Sequence, residues 1–147
     1  MKHIERAIAL TALVIAVTLS SSIVFAQADP QTVVNIPFNF TVGDKALPAG
    51  KYLIRRNRKD SDTVWVVQNK ESGKSVILLT RPVQASETQD KAKLVFRKYD
   101  DLYFMSEFWV AGTNTGREVN VTSQERALAK ALAVAPQVHV LIDRGGR

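Results

Sequence analysis

The sequence contains no cysteine and only two histidines, His3 and His139. The absence of cysteine excludes disulfide bonds, thiol nucleophiles, thiolate metal sites and lipid anchors that need a sulfur atom. With His139 as the single histidine beyond the N-terminal segment, neither a histidine metal site nor a serine–histidine–aspartate triad is indicated. The glycines are dispersed and form no phosphate-binding loop. We therefore predict no catalytic residue, no metal ligand and no cofactor, and a protein that is not an enzyme.

The N-terminal segment has the features of a secretory signal peptide. Lys2 and Arg6 give it a positive start, an apolar run follows over residues 7–19, and alanines at 26 and 28 form the small-x-small pattern that signal peptidase cleaves. We expect cleavage after Ala28, and cleavage after Ala26 is the alternative. An uncleaved membrane anchor is the competing interpretation, because the apolar stretch is close to the minimum length of a membrane span.

Cleavage would divide the chain into a signal peptide at 1–28 and a single secreted or periplasmic domain at 29–147. A hydrophobic fraction of 46% and a charged fraction of 23% are ordinary for a globular domain. The 20 Lys and Arg residues exceed the 14 Asp and Glu residues, and the net charge of +6 favours an anionic partner. The sequence does not identify the partner, and because export removes the protein from cellular nucleic acid, an anionic envelope polysaccharide or lipopolysaccharide is the candidate. We expect no nucleic acid partner, and no membrane span after cleavage.

Beyond the signal peptide, apolar and polar residues alternate with a period of two along most of the chain, as is typical of strands with one buried face. The sequence predicts a mainly β domain, an antiparallel β-sandwich or partly open barrel of about seven to eight strands with one C-terminal-region α-helix. The predicted strands are 34–42, 51–57, 63–69, 75–80, 93–99, 102–110, 117–121 and 137–142. The predicted core includes Ile36, Phe38, Phe40, Ile54, Val64, Val66, Leu78, Phe96, Phe104, Phe108 and Leu132.

Local signals predict how these strands connect. Pro37 lacks an amide donor, so the strand at 34–42 should be an edge strand or carry a bulge. Asp100 and Asp101 should form the two-residue turn of a hairpin, because aspartate tolerates the left-handed conformation that such a turn needs. Residues 82–92 are polar and are expected to form a surface loop.

A helix is expected over 123–135. Thr122 and Glu125 fit a capping box, in which the Thr122 hydroxyl accepts a hydrogen bond from the amide of residue 125 and the Glu125 carboxylate reaches back to the cap. Apolar residues follow at helical spacing, and Pro136 should end the helix.

Three blocks of sequence are spread over most of the domain. Residues 34–53 read VNIPFNFTVGDKALPAGKYL, residues 93–104 contain KLVFRKY followed by YF, and residues 116–119 read GREV with Glu125 and Arg126 behind them. Their combination resembles a family of small secreted β proteins common in Acidobacteria. The resemblance implies export and a β fold, and it brings no activity, cofactor or ligand with it.

One group of basic residues forms the candidate binding site. It lies at the end of the second predicted strand and the start of its turn, and arginine offers forked donors that suit phosphate and carboxylate groups. An anionic envelope polymer, such as lipopolysaccharide or an acidic exopolysaccharide, is therefore a candidate ligand. The competing interpretation is a solubilising hairpin tip that Asp60 and Asp62 partly neutralise. Alternation should put Arg56 on the face of Ile54 and Arg55 on the other face. The basic residues are Arg55, Arg56, Arg58 and Lys59.

His139 and Glu107 are two further titratable residues of the predicted strands. The alternation of the last strand predicts that His139 points away from the buried face, as an exposed strand histidine. Glu107 is expected at a strand edge with its carboxylate in solvent. The aromatic residues of the hairpin at 93–110 are assigned to the core, in preference to a stacking platform for sugars or bases.

These features favour a secreted, non-enzymatic module of the envelope or periplasm that binds a ligand or partner or has a structural role. A small hydrolase with a cryptic carboxylate or serine site is the alternative, and a calyx for a lipid or pigment is a third possibility. Two close carboxylates in a buried cleft, or a serine beside His139, would favour the hydrolase. A large apolar cavity inside a closed barrel would favour the calyx. An exposed strand edge or surface patch would favour the module.

Overall fold

The computed structural model describes residues 30–143, so the predicted signal peptide and its cleavage site lie outside the described residues. Within that range, no helix is both long enough and apolar enough to cross a membrane. The described residues form ten β-strands and one α-helix. These are β1 (Gln31–Ile36), β2 (Phe40–Val42), β3 (Lys45–Leu47), β4 (Gly50–Arg58), β5 (Ser61–Asn69), β6 (Ser75–Gln84), β7 (Lys93–Tyr99), β8 (Leu102–Trp109), β9 (Thr115–Val119), α1 (Ser123–Leu132) and β10 (Gln137–Ile142).

The ten strands form one continuous sheet. Its order is β1-β4-β5-β6-β9-β8, after which β8 pairs with β7 and β7 with β10, while the β2–β3 hairpin joins β8 beside β9. All pairs are antiparallel except the short contact of β2 with β8, where Thr41 lies opposite Phe104. Strand β6 belongs to both halves of the sheet, because residues 75–79 pair with β5 and residues 80–84 pair with β9.

The sheet folds over on itself and buries side chains from both halves. The ring of Trp65 on β5 lies 4.9 Å from that of Phe108 on β8, and Phe40 on β2 lies 5.1 Å from Tyr52 on β4. The sheet stays open, since a cleft of about 710 Å³ lies between β1 and β10 and no pairing joins these two strands in the described part of the chain. The predicted mainly β fold with one helix near the C-terminus is confirmed, with ten strands where seven to eight were expected.

Most of the predicted core is buried. Phe38, Val64 and Leu132 are the exceptions, since each is only half-buried. The other predicted core residues are all buried: Ile36, Phe40, Ile54, Val66, Leu78, Phe96, Phe104 and Phe108.

The predicted strand at 34–42 is two strands. Strand β1 ends at Ile36, directly before Pro37, and the chain then enters β2 in the other half of the sheet. Because β1 pairs only with β4 among the described strands, it is an edge strand, as Pro37 predicts. The chain needs no amide donor at Pro37, since that residue lies beyond the ladder.

The prediction of a loop over 82–92 was wrong for residues 82–84, which belong to strand β6. Strand β6 continues through Pro82, which lies opposite Arg117 of β9, and it ends at Gln84. A proline is tolerated in a strand that has a neighbour on one side only. No described strand pairs with residues 80–84 on the side away from β9.

The two connections with the strongest local signals are confirmed. Asp100 and Asp101 form the two-residue turn between β7 and β8, and Asp100 has a φ of 49°. At the start of α1, the Thr122 hydroxyl accepts a hydrogen bond from the Glu125 amide at 3.2 Å. Both depend on residues close in sequence, which is why a pattern predicts them.

Helix α1 departs from the prediction at its end and in the position of Glu125. The helix ends at Leu132, before Pro136, because Ala133 adopts the left-handed conformation with a φ of 52°. The Glu125 carboxylate is buried and accepts hydrogen bonds from the Arg97 guanidinium at 2.6 and 3.1 Å, so it fixes the helix to β7. A buried carboxylate needs a cationic partner, and this requirement outweighs a capping contact.

Candidate functional site

A cleft of about 600 Å³ opens at the end of the sheet where β4 turns into β5. One wall comes from β4 and β5, and the opposite wall comes from β8, β9 and the loop between them. The two walls belong to different halves of the sheet, so only the folded chain assembles the cleft. The residues whose charge or ring defines it are Arg56, Asp62, Trp65, Phe108 and Arg117.

Strand alternation places Arg56 in the cleft. On β4, Arg56 follows Tyr52 and Ile54 at a spacing of two, and both of those side chains are fully buried. The Arg56 side chain is 19% exposed, and its Nη1 donates a hydrogen bond to Oδ1 of Asp62 at 2.7 Å. The sequence predicted this face for Arg56 correctly.

Arg117 enters the same cleft from β9. It lies opposite Phe108 of β8, whose side chain is fully buried, so the two side chains share the inner face. The Arg117 side chain is 13% exposed, its Nη2 lies 3.8 Å from Oδ2 of Asp62, and its guanidinium carbon lies 5.8 Å from the centre of the Trp65 ring. Sequence reasoning missed this residue. The signal that could have found it is the spacing of two between Arg117 and the buried Val119, which puts both side chains on the same face of β9.

Asp62 lies between the two guanidinium groups. Its side chain is 61% exposed, and the Trp65 indole donates a hydrogen bond to the backbone carbonyl of Asp62 at 2.9 Å. The hydrogen bond from Arg56 is the largest influence on the Asp62 carboxyl and lowers its pKa. Burial acts in the opposite direction, and the charges of Arg117 and Arg56 lower the pKa further. The carboxylate is therefore ionised at neutral pH, and the three side chains together carry one excess positive charge.

The predicted basic group does not form one patch. Arg58 pairs with Asp60 at 3.3 Å, with both side chains 72% exposed, and Lys59 lies in the exposed turn between β4 and β5. Arg55 points to the opposite face from Arg56, as alternation predicts, and donates to the Arg56 carbonyl at 3.3 Å. Asp60 and Asp62 thus pair with Arg58 and Arg56, as the competing interpretation of a partly neutralised hairpin tip expects.

The prediction for His139 was wrong. His139 is half-buried, its ring lies 5.3 Å from those of Phe38 and Tyr103, and Val138 and Val140 are the exposed members of β10. The reason is the pairing of β10 with β7, which puts His139 opposite the fully buried Phe96. Residues opposite each other in an antiparallel pair share a face, so Phe96 sets the phase of β10.

The prediction for Glu107 was also wrong, because its strand has a neighbour on each side. Glu107 lies opposite Val95 of β7 and opposite Glu118 of β9, and it is half-buried. Its Oε2 accepts a hydrogen bond from the Trp109 indole at 3.1 Å. Glu107 thus positions an aromatic ring on the outer face of the sheet.

Within residues 30–143, no group of three or more histidine or acidic side chains is arranged to hold a metal ion. No family model, no curated protein and no solved structure matches the chain. The chemistry of the cleft is therefore the basis on which a function can be assigned.

Proposed function

We propose that the protein is an exported, non-enzymatic binding module whose cleft holds an anionic group of an envelope polymer, such as a lipopolysaccharide phosphate or an exopolysaccharide carboxylate. One observation carries the proposal: the guanidinium groups of Arg56 and Arg117 face a single carboxylate, that of Asp62. The residual positive charge and the forked donors of two arginines match such an anion.

The geometry favours exchange of Asp62 for a ligand. Both arginine side chains are less than one fifth exposed, so they are partly desolvated and should attract an anion more strongly than fully exposed arginines would. Asp62 is 61% exposed, so its side chain can turn outward and leave its place to the anion. Asp62 then acts as an internal competitor that keeps the guanidinium groups in position when no ligand is bound.

Export is part of the proposal and is supported by the pattern of residues 1–28 and by the resemblance to small secreted β proteins. N-terminal sequencing of the protein recovered from the periplasm or medium tests it. We expect a mature chain that starts at Asp29, or at Gln27 if cleavage follows Ala26. A chain that keeps Met1 and remains in the cytoplasm would contradict export.

The arrangement of the core and of His139 favours a binding module over the two alternatives. The serine form of the hydrolase alternative needs a histidine base beside a nucleophile, whereas His139 lies against the rings of Phe38 and Tyr103. The calyx alternative needs an apolar cavity, whereas the fully buried side chains of Tyr52 and Phe96 occupy the space between the two halves of the sheet.

Binding to immobilised lipopolysaccharide at low salt tests the site. We expect the Arg56→Gln/Arg117→Gln double variant to lose retention, because both guanidinium groups of the cleft are gone. The matched control is Arg55→Gln/Arg58→Gln, which removes the same charge from outside the cleft and should leave most of the retention. Melting curves of both variants show whether the fold persists.

Asp62→Asn should change retention in the opposite direction from the arginine variants. Removing the competing carboxylate should strengthen retention, because the same two arginines then face only the ligand. Equal losses in both arginine pairs would mean that affinity comes from diffuse surface charge, and weaker retention of Asp62→Asn would exclude competition. Either outcome would overturn the assignment of the cleft.

A further inference from the structure

Residues 120–122 form the whole connection between β9 and α1, and they read Asn-Val-Thr. This is the Asn-x-Thr pattern at which exported proteins accept N-linked sugars, provided that the middle residue is not proline. Asn120 is exposed, and within residues 30–143 its side chain forms no hydrogen bond. Its amide nitrogen is therefore accessible for a covalent bond to a sugar.

The same pattern occurs once more in the chain, at residues 39–41, but there the structure restrains it. Oδ1 of Asn39 accepts a hydrogen bond from the backbone amide of Ala49 at 3.0 Å. Thr41 lies within β2, with Ala46 of β3 on one side and Phe104 of β8 on the other. Of the two patterns, only the one at 120–122 lies wholly in a loop, where it can enter the active site of an enzyme without breaking strand pairs.

Asn120 lies beside an exposed apolar surface of β6. Ile77 is 64% exposed and Leu79 is 69% exposed, and both line an open cleft of about 970 Å³ together with Asn120. Val119 lies opposite Thr80, and the next position of the same antiparallel register places Asn120 beside Leu79. Residues opposite each other share a face of the sheet, so a group attached to Asn120 extends over this apolar surface.

We propose that Asn120 carries an N-linked glycan whose first sugars cover Ile77 and Leu79. The proposal rests on the proposed export, because such glycans are added to exported proteins. The sugar donor is an oligosaccharide linked to a lipid pyrophosphate, and a separate transferase acts on it. The Asn120 amide nitrogen bonds to the anomeric carbon of the first sugar. The bond from that carbon to the pyrophosphate oxygen breaks, the lipid pyrophosphate leaves with the electron pair, and one amide proton passes to a base of the transferase.

A glycan matches what this surface needs. Residues 75–79 of β6 pair with β5 and have no neighbour on their other side among the described strands. An open strand edge with exposed apolar side chains favours association between copies of a chain. A glycan is bulky and hydrated, so it keeps other chains away from the edge while the C–H groups of its sugar rings contact the aliphatic side chains.

The intact mass of the protein recovered from the periplasm or medium of its natural host tests the site. We expect a mass above that of the mature polypeptide, with the addition located on Asn120 by peptide mapping. Asn120→Gln should lose the addition. Val121→Pro should lose it too, although it keeps both the asparagine and the threonine, because proline at the middle position prevents transfer. Asn39→Gln is the matched control and should keep the addition.

The outcomes separate this proposal from the proposed export. An exported chain with the mass of the bare polypeptide would overturn the glycan and leave export and the cleft intact. An addition that persists in Asn120→Gln and disappears in Asn39→Gln would also overturn it. A chain that keeps Met1 and remains in the cytoplasm would overturn export and the glycan together.

Solubility measured by light scattering tests whether the glycan covers β6. Asn120→Gln should lose solubility relative to the modified protein, and adding Ile77→Ser and Leu79→Ser should restore it. The matched control adds Val138→Ser and Val140→Ser, which remove exposed apolar side chains from β10 and should not restore it. Equal solubility with and without the glycan, or recovery in the β10 control alone, would overturn the covering of β6.

Discussion

Gly116 of β9 lies directly beneath the indole ring of Trp109 of β8. A Cβ atom at residue 116 would lie 2.5 Å from two ring carbons of Trp109, well inside van der Waals contact. Glycine is required here because the ring lies flat against the backbone of the neighbouring strand. The ring is held there by its hydrogen bond to Glu107 and by the Lys93 ammonium, which lies 4.7 Å from the ring centre.

Gly116→Ala should lower the free energy of unfolding by about 1–3 kcal/mol, because the indole must move to make room for the methyl group. Chemical denaturation measures the loss. In a Trp109→Leu background the same substitution should cost less, since the ring that obstructs the Cβ is gone. An equal cost in both backgrounds would show that the indole is not the obstruction.

Glu125→Ala should be far more destabilising than the loss of a surface carboxylate. The variant leaves the Arg97 guanidinium, which is 16% exposed, without its carboxylate partner, and removing one member of a buried pair costs about 3 kcal/mol or more. Glu118→Ala is the control, because the Arg81–Glu118 pair is exposed and should contribute under about 1 kcal/mol. Urea titration of both variants measures the difference, and similar losses would contradict the role given to Glu125.

Tyr99 should make the protein less stable at high pH. Burial raises the pKa of the Tyr99 hydroxyl above its usual 10.0, and so do the negative charge of Glu125 and the hydrogen bond donated to it. The unfolded chain then loses its proton at a lower pH than the folded protein, so stability is complete below pH 10 and falls as pH rises through the folded pKa.

Stability curves of the natural protein and Tyr99→Phe between pH 8 and 12 check this expectation. The natural protein should lose more stability above about pH 10 than the variant, because phenylalanine has no proton to release. If the two curves are parallel, groups other than Tyr99 cause the loss of stability at high pH.

Ala133→Gly should stabilise the protein by about 1 kcal/mol. Ala133 ends α1 in the left-handed conformation, which costs about 1–2 kcal/mol for a residue with a Cβ atom and little for glycine. Ala127→Gly is the control, because the same substitution at an exposed position in the middle of the helix should destabilise by about 1 kcal/mol. Thermal melting should thus shift in opposite directions for the two variants.

The features that sequence patterns predicted correctly depend on residues that are close in sequence. The turn at Asp100 and the cap at Thr122 each involve contacts within three residues, and Arg56 takes its face from the alternation of its own strand. Such features depend on local geometry that periodicity reports.

The incorrect prediction for His139 and the missed residue Arg117 both concern contacts between distant parts of the chain. The phase of His139 is set by Phe96, 43 positions earlier, through strand pairing. The approach of Arg117 to Asp62 requires the sheet to fold over, which brings β9 to β5. A single sequence contains no signal for these pairings, because alternation shows which residues share a face but not which strand lies next to it.

Strand β6 is shared by the two halves of the sheet. Its first half completes the ladder of β5, and its second half completes the ladder of β9. If either half of the sheet melts, the other loses the support of the strand that they share, so both should unfold in one cooperative transition. A proteolytic nick between Leu79 and Thr80 would leave two fragments, each ending in an incomplete ladder, and neither would retain the fold.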